Sequence, residues 1–212
     1  IKLAADIDFE GATLNAPIKM AGFGCFDGQN HTIKNVTIEN DTDAGLFISS
    51  GYGALKNIKL DNVHAIGGYN GNSTVGILAS DCSAGIDNIN ITNSSAEGGK
   101  YTGGVVGYGY TYVTNCTLTN CVVKGGYKCG GVIGYIAAES GTGDVTGNTL
   151  TDCTVDGIGG GVYAGGKSEY VIGKVVGNYN CNGTCSNNTI TNMTTPATKN
   201  IGKIEESFTV QE

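Results

Sequence analysis

The amino-acid sequence predicts an all-β fold, a single-stranded parallel β-helix (a β-solenoid) of about six coils. The first observation behind this prediction is repetition, because two short β-type segments recur along the 212 residues. The second is the side-chain pattern, which alternates with period two and shows no sustained helical stripe. The third is composition, because the chain holds 36 Gly and only 2 Pro, and Gly interrupts every candidate helix.

The first repeated segment predicts one strand in each coil. Every second position is apolar, which is typical of a strand with one buried face. Its copies are KNVTIEN (34–40), KNIKLDN (56–62), DNINITN (87–93), TNCTLTN (114–120), TGNTLTD (146–152) and NNTITN (187–192). The residues expected to share the inward face are Val36, Ile38, Ile58, Leu60, Ile89, Ile91, Cys116, Leu118, Leu150 and Ile190.

The second repeated segment predicts a further strand with a tight bend. Its copies are AGLFI (44–48), VGILA (75–79), GGVVG (103–107), GGVIG (130–134), IGKVVG (172–177) and IGKI (201–204). Two columns of special residues are expected to stack from coil to coil, one for close backbone approach and one for turns. The predicted glycine column is Gly45, Gly76, Gly104, Gly131, Gly173 and Gly202. The predicted turn column is Asn40, Asn62, Asn93, Asn120, Asp152 and Asn192.

The repeats predict one β-helix domain over residues 1–212. Residues 1–26 are expected to form an N-terminal cap or irregular first coil, residues 27–204 the repeats, and residues 205–212 a tail over the other end. Because the chain starts at Ile1 without Met or a signal peptide, we expect it to be a processed or trimmed piece.

Charge and composition exclude several classes of protein. The net charge is −7 and all 12 basic residues are Lys, whereas a nucleic-acid binder needs a basic footprint. No run of about 18 apolar residues occurs, so no transmembrane segment is expected. A disordered chain would carry less than the observed 40% of hydrophobic residues.

Five segments carry a resemblance to a known family. YTGGVVGY (101–108) and YKCGGVIGY (127–135) resemble the GLUG-type repeat of bacterial cell-surface and secreted proteins, and LAADIDFEG, API and FDGQNHTIKNVTI resemble the segment that often precedes it. The resemblance covers most of residues 3–135 and implies a right-handed, extracellular β-helix from host-associated bacteria. It transfers no catalytic site, because the residues of the motif are structural. The immunoglobulin-cleaving metallopeptidases that carry such repeats keep their zinc motif in another domain, and this chain has no HExxH.

Motifs for cofactor or metal chemistry are weak. GVYAGGKS (161–168) matches the phosphate-loop pattern, but the residues after it are expected to form a strand and no Asp follows Asp156, so a glycine-rich loop is favoured. His31 and His64 have no neighbouring Cys or second His in the sequence, and no CxxC pair occurs. We therefore expect no cofactor, no metal site and structural roles for both histidines.

Carboxylates and tyrosines leave two functional alternatives open. A carbohydrate-active β-helix enzyme should gather at least two carboxylates in one groove; here the Asp residues are spread over the cycle, with Asp41 and Asp43 the closest pair. No catalytic residue is therefore predicted. Candidate sugar-stacking residues, which could equally cover the flank of the solenoid, are Tyr101, Tyr108, Tyr110, Tyr127 and Tyr135.

A TxT pattern recurs on the predicted outer face of three coils. Outward Thr rows of this kind resemble the ice-binding face of some solenoid antifreeze proteins, although Thr is also an ordinary strand residue. The residues concerned are Thr117, Thr119, Thr149 and Thr151, continued by Thr189 and Thr191.

The eight cysteines are expected to be mostly free, buried thiols with zero to two disulfides. Cys181 and Cys185 could close a small loop. Cys121 and Cys153 occupy the same cycle position, where stacked strands place Cα atoms about 4.8 Å apart, within disulfide range.

These observations predict a non-catalytic extracellular module of a bacterial surface or secreted protein, acting as a stalk, an adhesin segment or a ligand-presenting surface. Its expected partner is a glycan or a host or bacterial surface protein. A polysaccharide lyase or hydrolase is the alternative, and an ice-binding face a minor one.

Overall fold

The structure, a computed structural model, describes residues 1–22, 24–49, 51–69, 72–158, 171–205 and 208–212, with backbone alone for 138–142. Within these residues the protein is all-β, without helix, and its parallel strands stack as a β-solenoid of about six turns. The predicted fold class is confirmed. The phosphate-loop match at 161–168 lies outside the described residues.

The described strands follow the coils in chain order. The first half of the chain contains β1 (Ile7–Leu14), β2 (Ile18–Met20), β3 (Cys25–Asp27), β4 (Thr32–Asn40), β5 (Asp43–Ala44), β6 (Phe47–Ser49), β7 (Ala54–Gly67), β8 (Thr74–Gly76), β9 (Ala79–Cys82), β10 (Gly85–Thr92), β11 (Ser95–Gly98), β12 (Tyr101–Gly103) and β13 (Val106–Gly109). The second half contains β14 (Val113–Thr114), β15 (Thr117–Thr119), β16 (Val122–Gly125), β17 (Lys128–Gly130), β18 (Ile133–Thr146), β19 (Thr149–Thr151), β20 (Thr154–Gly157), β21 (Val171–Gly173), β22 (Val176–Thr184), β23 (Thr189–Thr191), β24 (Ile201–Ile204) and β25 (Val210–Gln211).

The core consists of apolar columns that run along the solenoid axis. One column, set by the register of seven successive strands, is Ile7, Ile33, Leu60, Ile91, Leu118, Leu150 and Ile190. Its interior members are at most 3% exposed, whereas Ile7 is 37% exposed at the N-terminal end. The residues predicted to share the inward face are all buried except Ile190, which is partly buried.

Left-handed asparagines form the corners of each coil. Asn62, Asn93, Asn120, Asp152 and Asn192 all have φ between 51° and 54°, as a turn column requires. A second left-handed column, not predicted, lies five residues earlier and comprises Asn57, Asn88, Asn115, Gly147 and Asn187. Side-chain amides link both columns between coils, for example Asn120 Nδ2 to Asn93 Oδ1 at 2.8 Å and Asn88 Nδ2 to Asn57 Oδ1 at 2.7 Å.

The prediction that Asn40 belongs to the turn column is wrong. Asn40 pairs with Gly67, and Asn35, with φ of 57°, stands beside Asn62. The segment equivalent to NIKLDN (57–62) is therefore NHTIKN (30–35), and KNVTIEN (34–40) stacks on residues 61–67. Two corners lie five residues apart within a coil, so residues 57–62 can be aligned with either 30–35 or 34–40. The segment 34–40 has the more similar letters, and it indicated the wrong alignment.

The predicted glycine column is also wrong in part. Register places Gly103 and Gly130 in line with Gly76 and Gly173, so Gly104 and Gly131 lie one residue beyond the column. The prediction for Gly202 is wrong as well, because the register places it in a parallel column with Gly107, Gly134 and Gly177. Where two glycines stand side by side, as in Gly103–Gly104 and Gly130–Gly131, either one could belong to the column. The alternation of apolar residues alone does not decide between them.

The two glycine columns make a corner at which backbones touch. A Cβ built on Gly134 of β18 would lie 2.5 Å from the amide nitrogen of Thr102 in β12 and 2.8 Å from the Gly107 carbonyl oxygen. Only glycine fits such an approach without displacing a strand. This corner brings the outer side chains of the sheet β5–β8–β12–β17–β21 against those of β9, β13, β18 and β22. The proposed division into cap, repeats and tail stays a prediction.

Candidate ligand surface around a tyrosine cluster

Five tyrosines from two successive coils meet at the glycine corner, and they are called the tyrosine cluster below: Tyr101, Tyr108, Tyr110, Tyr127 and Tyr135. Tyr101 lies in β12, between Thr74 and Lys128 in register. Tyr108 in β13 pairs with Tyr135 in β18. The cluster thus combines two strand columns that the sequence alone does not show to be neighbours.

Three rings of the cluster stack nearly in parallel. Ring centroids are 4.8 Å apart for Tyr101 and Tyr135, 5.3 Å for Tyr108 and Tyr135, and 5.6 Å for Tyr101 and Tyr108. Tyr110 meets Tyr108 edge-on at 5.0 Å, and the two hydroxyls are 2.6 Å apart. Offset stacked and edge-on contacts of this kind stabilise aromatic pairs.

Lys128, which the sequence did not single out, is built into the cluster. Its Nζ lies 4.1 Å from the ring centroid of Tyr135 and 5.3 Å from that of Tyr127. The same Nζ is 3.6 Å from Glu205 Oε1, and the Lys128 side chain is only 8% exposed. Burial lowers the pKa of Lys128. A signal was present in the sequence, because Lys128 follows Tyr127 and stands at the repeat position of Tyr101.

The stacked arrangement determines which parts of the cluster can meet a ligand. Tyr101, Tyr108 and Tyr135 are partly buried, and their rings lie against one another, against Tyr110 and near the Lys128 ammonium. Tyr110 itself is 38% exposed. Tyr110 is therefore the member of the cluster most open to a ligand, and a ligand role for the cluster stays a prediction.

Two carboxylates come together beside the cluster. Asp81 in β9 pairs with Tyr108 in register, and burial together with the charge of Asp43 in β5 raises the pKa of Asp81 to about 6. The sequence had indicated Asp41 and Asp43 as the closest pair and had not connected Asp81. These two residues lie 38 positions apart, and only the corner between the two sheets brings them together.

The predicted threonine rows lie where expected. Thr117, Thr149 and Thr189 form one column, and Thr119, Thr151 and Thr191 form the other. The second column continues to Thr92, whose hydroxyl donates to Asp61 Oδ1 at 2.7 Å. A charged residue therefore ends the array on that side.

The histidines have polar neighbours within the coils. His31 Nδ1 lies 3.1 Å from Asp6 Oδ1, and His64 bonds the Ser95 hydroxyl and the Asn62 side chain. In the part of the chain that the structure describes, no group of three or more His, Cys, Asp or Glu side chains could hold a metal ion.

All eight cysteines are free, and all except Cys25 are buried. The expectation of mostly free, buried thiols is confirmed, and neither candidate disulfide is formed in this structure. Burial raises the pKa of the Cys82, Cys116 and Cys129 thiols to about 12.

Comparison with known proteins gives a likeness of fold. No protein-family profile matches the chain, and no curated protein does. A crystal structure of a "putative immunoglobulin A1 protease" from Bacteroides ovatus superposes with a TM-score of 0.59 at 20% identity, covering 96% of this chain and 76% of that one. At this identity the likeness concerns the fold. Among the described residues no helix is long and apolar enough to cross a membrane.

Proposed function

We propose that this chain is a non-catalytic, extracellular β-solenoid module of a bacterial surface or secreted protein. In this proposal the module presents the tyrosine cluster to a glycan or to a host or bacterial surface protein. The observation that carries it is the concentration of five tyrosines from two coils at one outer corner, with Tyr110 38% exposed. Tyrosine offers an apolar ring and a hydroxyl together, which suits extended polar ligands.

Three further features support the proposal. The GLUG-type resemblance of residues 3–135 indicates a bacterial surface or secreted protein, and the fold likeness to the Bacteroides ovatus protein agrees with a bacterial source. Lys128, buried against the rings and paired with Glu205, supports the cluster by its cation–π contact with Tyr135. Stacked coils give a rigid surface on which exposed side chains keep fixed spacing, as extended contact with a polymer requires.

A glycan array and a panel of surface proteins test the proposal on the full chain. Tyr110→Ala should weaken binding at least about tenfold, as expected when an aromatic contact at the centre of a site is removed. Tyr69→Ala is the matched control, because Tyr69 is 53% exposed, donates to Glu97 Oε2 at 3.4 Å and is not a member of the tyrosine cluster. Equal losses in both variants, or no binding by the wild-type chain, would contradict the proposal.

The carboxylates beside the cluster favour a second candidate, a carbohydrate-active enzyme. A carboxyl whose pKa is raised to about 6 is suited to act as a general acid, with Asp43 as the second carboxylate. Incubation with polyuronates and neutral polysaccharides, followed by product analysis, separates the two candidates. Turnover that Asp81→Asn abolishes would establish the enzyme and exclude the non-catalytic module.

The threonine columns favour a minor third candidate, an ice-binding face. Thermal hysteresis of the wild-type chain, compared with Thr149→Asp in the middle of one column, is the direct measurement. Hysteresis that the substitution removes would support this candidate, and none in the wild type would exclude it.

A further inference from the structure

We infer that Cys121 and Cys153 are the site of an oxidative cross-link between two coils. Both thiols are free in this structure. The cross-link forms when the protein meets a small-molecule disulfide such as oxidised glutathione. This inference concerns the covalent state of the solenoid and does not rest on the proposed ligand surface.

Strand register places the two cysteines opposite each other. Thr119 pairs with Thr151 and Val122 with Thr154, so Cys121 and Cys153 stand in the gap between two aligned strand pairs. The Thr154 amide donates to the Cys121 carbonyl at 2.9 Å, and the Asn120 amide donates to the Thr151 carbonyl at 3.0 Å. Backbones hydrogen-bonded in this way hold Cα atoms about 4.8 Å apart, within the 4.4–6.8 Å span of disulfides.

The two side chains share the core face and interact with each other. Cys121 is 1% exposed and Cys153 2% exposed. The Cys121 thiol donates to the Thr119 carbonyl at 3.4 Å, and the Cys153 thiol donates to the equivalent Thr151 carbonyl at 3.3 Å, so the two sulfurs take the same place in successive coils. The closeness of the thiols raises the pKa of Cys121 and lowers that of Cys153. The strand register places Ser94 before the two cysteines and Met193 after them in the same column. Each of the two thiols therefore has one other thiol as a neighbour along the solenoid axis.

The chemistry is thiol–disulfide exchange with a balanced outcome. The Cys153 thiolate attacks one sulfur of oxidised glutathione and expels one glutathione thiolate, which takes up the proton that Cys153 lost. The Cys121 thiolate then attacks the Cys153 sulfur and expels the second glutathione. Two cysteine thiols are oxidised to one disulfide, and one glutathione disulfide is reduced to two thiols. Because both residues are buried, exchange takes place before the coils close during folding or when they open.

The test uses the full chain, refolded from guanidinium in a mixture of oxidised and reduced glutathione. The sample is quenched in guanidinium with N-ethylmaleimide, digested with trypsin and analysed by mass spectrometry. The cross-link joins the peptides 101–124 and 129–167, and the linked species is lighter by two hydrogen atoms than the sum of the two. Fragmentation should find Cys116 and Cys129 labelled within it and Cys121 bonded to Cys153.

Two variants and a stability measurement complete the test. Cys153→Ser should remove the link, whereas Cys116→Ser should keep it, because buried Cys116 stacks between Ile89 and Asn148 rather than on a cysteine. Cross-linked wild type should melt at least about 3 °C above the reduced form, with no such difference in Cys153→Ser. Eight labelled cysteines after refolding, or a link through any other cysteine, would overturn the inference.

Discussion

At the scale of single residues, the left-handed corner explains why asparagine recurs in this chain. A left-handed backbone costs most non-glycine residues about 1–2 kcal/mol, and asparagine tolerates it better because its side chain is short and polar. Asn120 sits at φ of 53°, is exposed, and donates to Asn93. The sequence predicted this column because its asparagines end a strand. The column five residues earlier was missed, because Asn57 and Asn88 stand at strand starts inside a segment already assigned as β.

Asp81 gives a pH-dependent prediction. Its pKa is raised to about 6 by burial and by Asp43, so the folded state holds the proton more tightly than the unfolded state does. Stability is therefore lost as pH rises from about 4 to about 6 and stays lost above. A shift of two pKa units corresponds to about 2.7 kcal/mol, and solvent screening of this partly buried group reduces that to about 1 kcal/mol.

Asp81→Asn should accordingly stabilise the protein by about 1 kcal/mol at pH 8, with the gain shrinking as pH falls toward 4. Urea unfolding at several pH values measures this. Asp41→Asn is the control, because Asp41 is exposed and outside the pair. A gain in stability that does not depend on pH would show that ionisation of Asp81 does not destabilise the folded protein.

At the scale of strands, the glycine corner decides which side chains become neighbours. Tyr101, Lys128 and Asp43 belong to one sheet, whereas Tyr135 and Asp81 belong to strands of the other. Repeat spacing predicted each strand and its inward face, because burial imposes the period of two. Repeat spacing could not predict the contacts across the corner, because these depend on the angle between the two sheets. They also depend on which glycine of each Gly-Gly pair faces the corner, and the spacing does not determine this.

Gly134→Ala tests this corner. Its Cβ would come within 2.5 Å of the Thr102 nitrogen and within 2.8 Å of the Gly107 carbonyl oxygen, and both contacts are backbone atoms that cannot rotate away. We expect a loss of at least about 2 kcal/mol in the free energy of unfolding, measured with urea. Gly24→Ala should be nearly neutral, because no atom of the described residues lies within 4 Å of a Cβ at that position. Near-equal stabilities of the two variants would contradict the close approach.

At the scale of the whole molecule, the solenoid is held by contacts between adjacent coils. The apolar column of seven residues from Ile7 to Ile190 shows this. Its interior members pack against a coil on each side, whereas Ile7 packs against the next coil through Ile33. The repeated pattern made this architecture predictable, because one coil alone cannot bury its apolar face. Stability should therefore be greatest in the central coils and lowest at the ends.

Leu118→Ala and Ile7→Ala compare these two positions directly. Leu118 is 0% exposed between Ile91 and Leu150, so its truncation leaves a cavity and should destabilise by about 2–5 kcal/mol. Ile7 is 37% exposed and should lose about 1 kcal/mol or less. Urea unfolding gives both values, and hydrogen exchange by mass spectrometry should show β10, β15 and β16 better protected than β1 and β23. Similar losses at both positions, with uniform exchange along the chain, would mean that the stacked coils do not stabilise one another as neighbours.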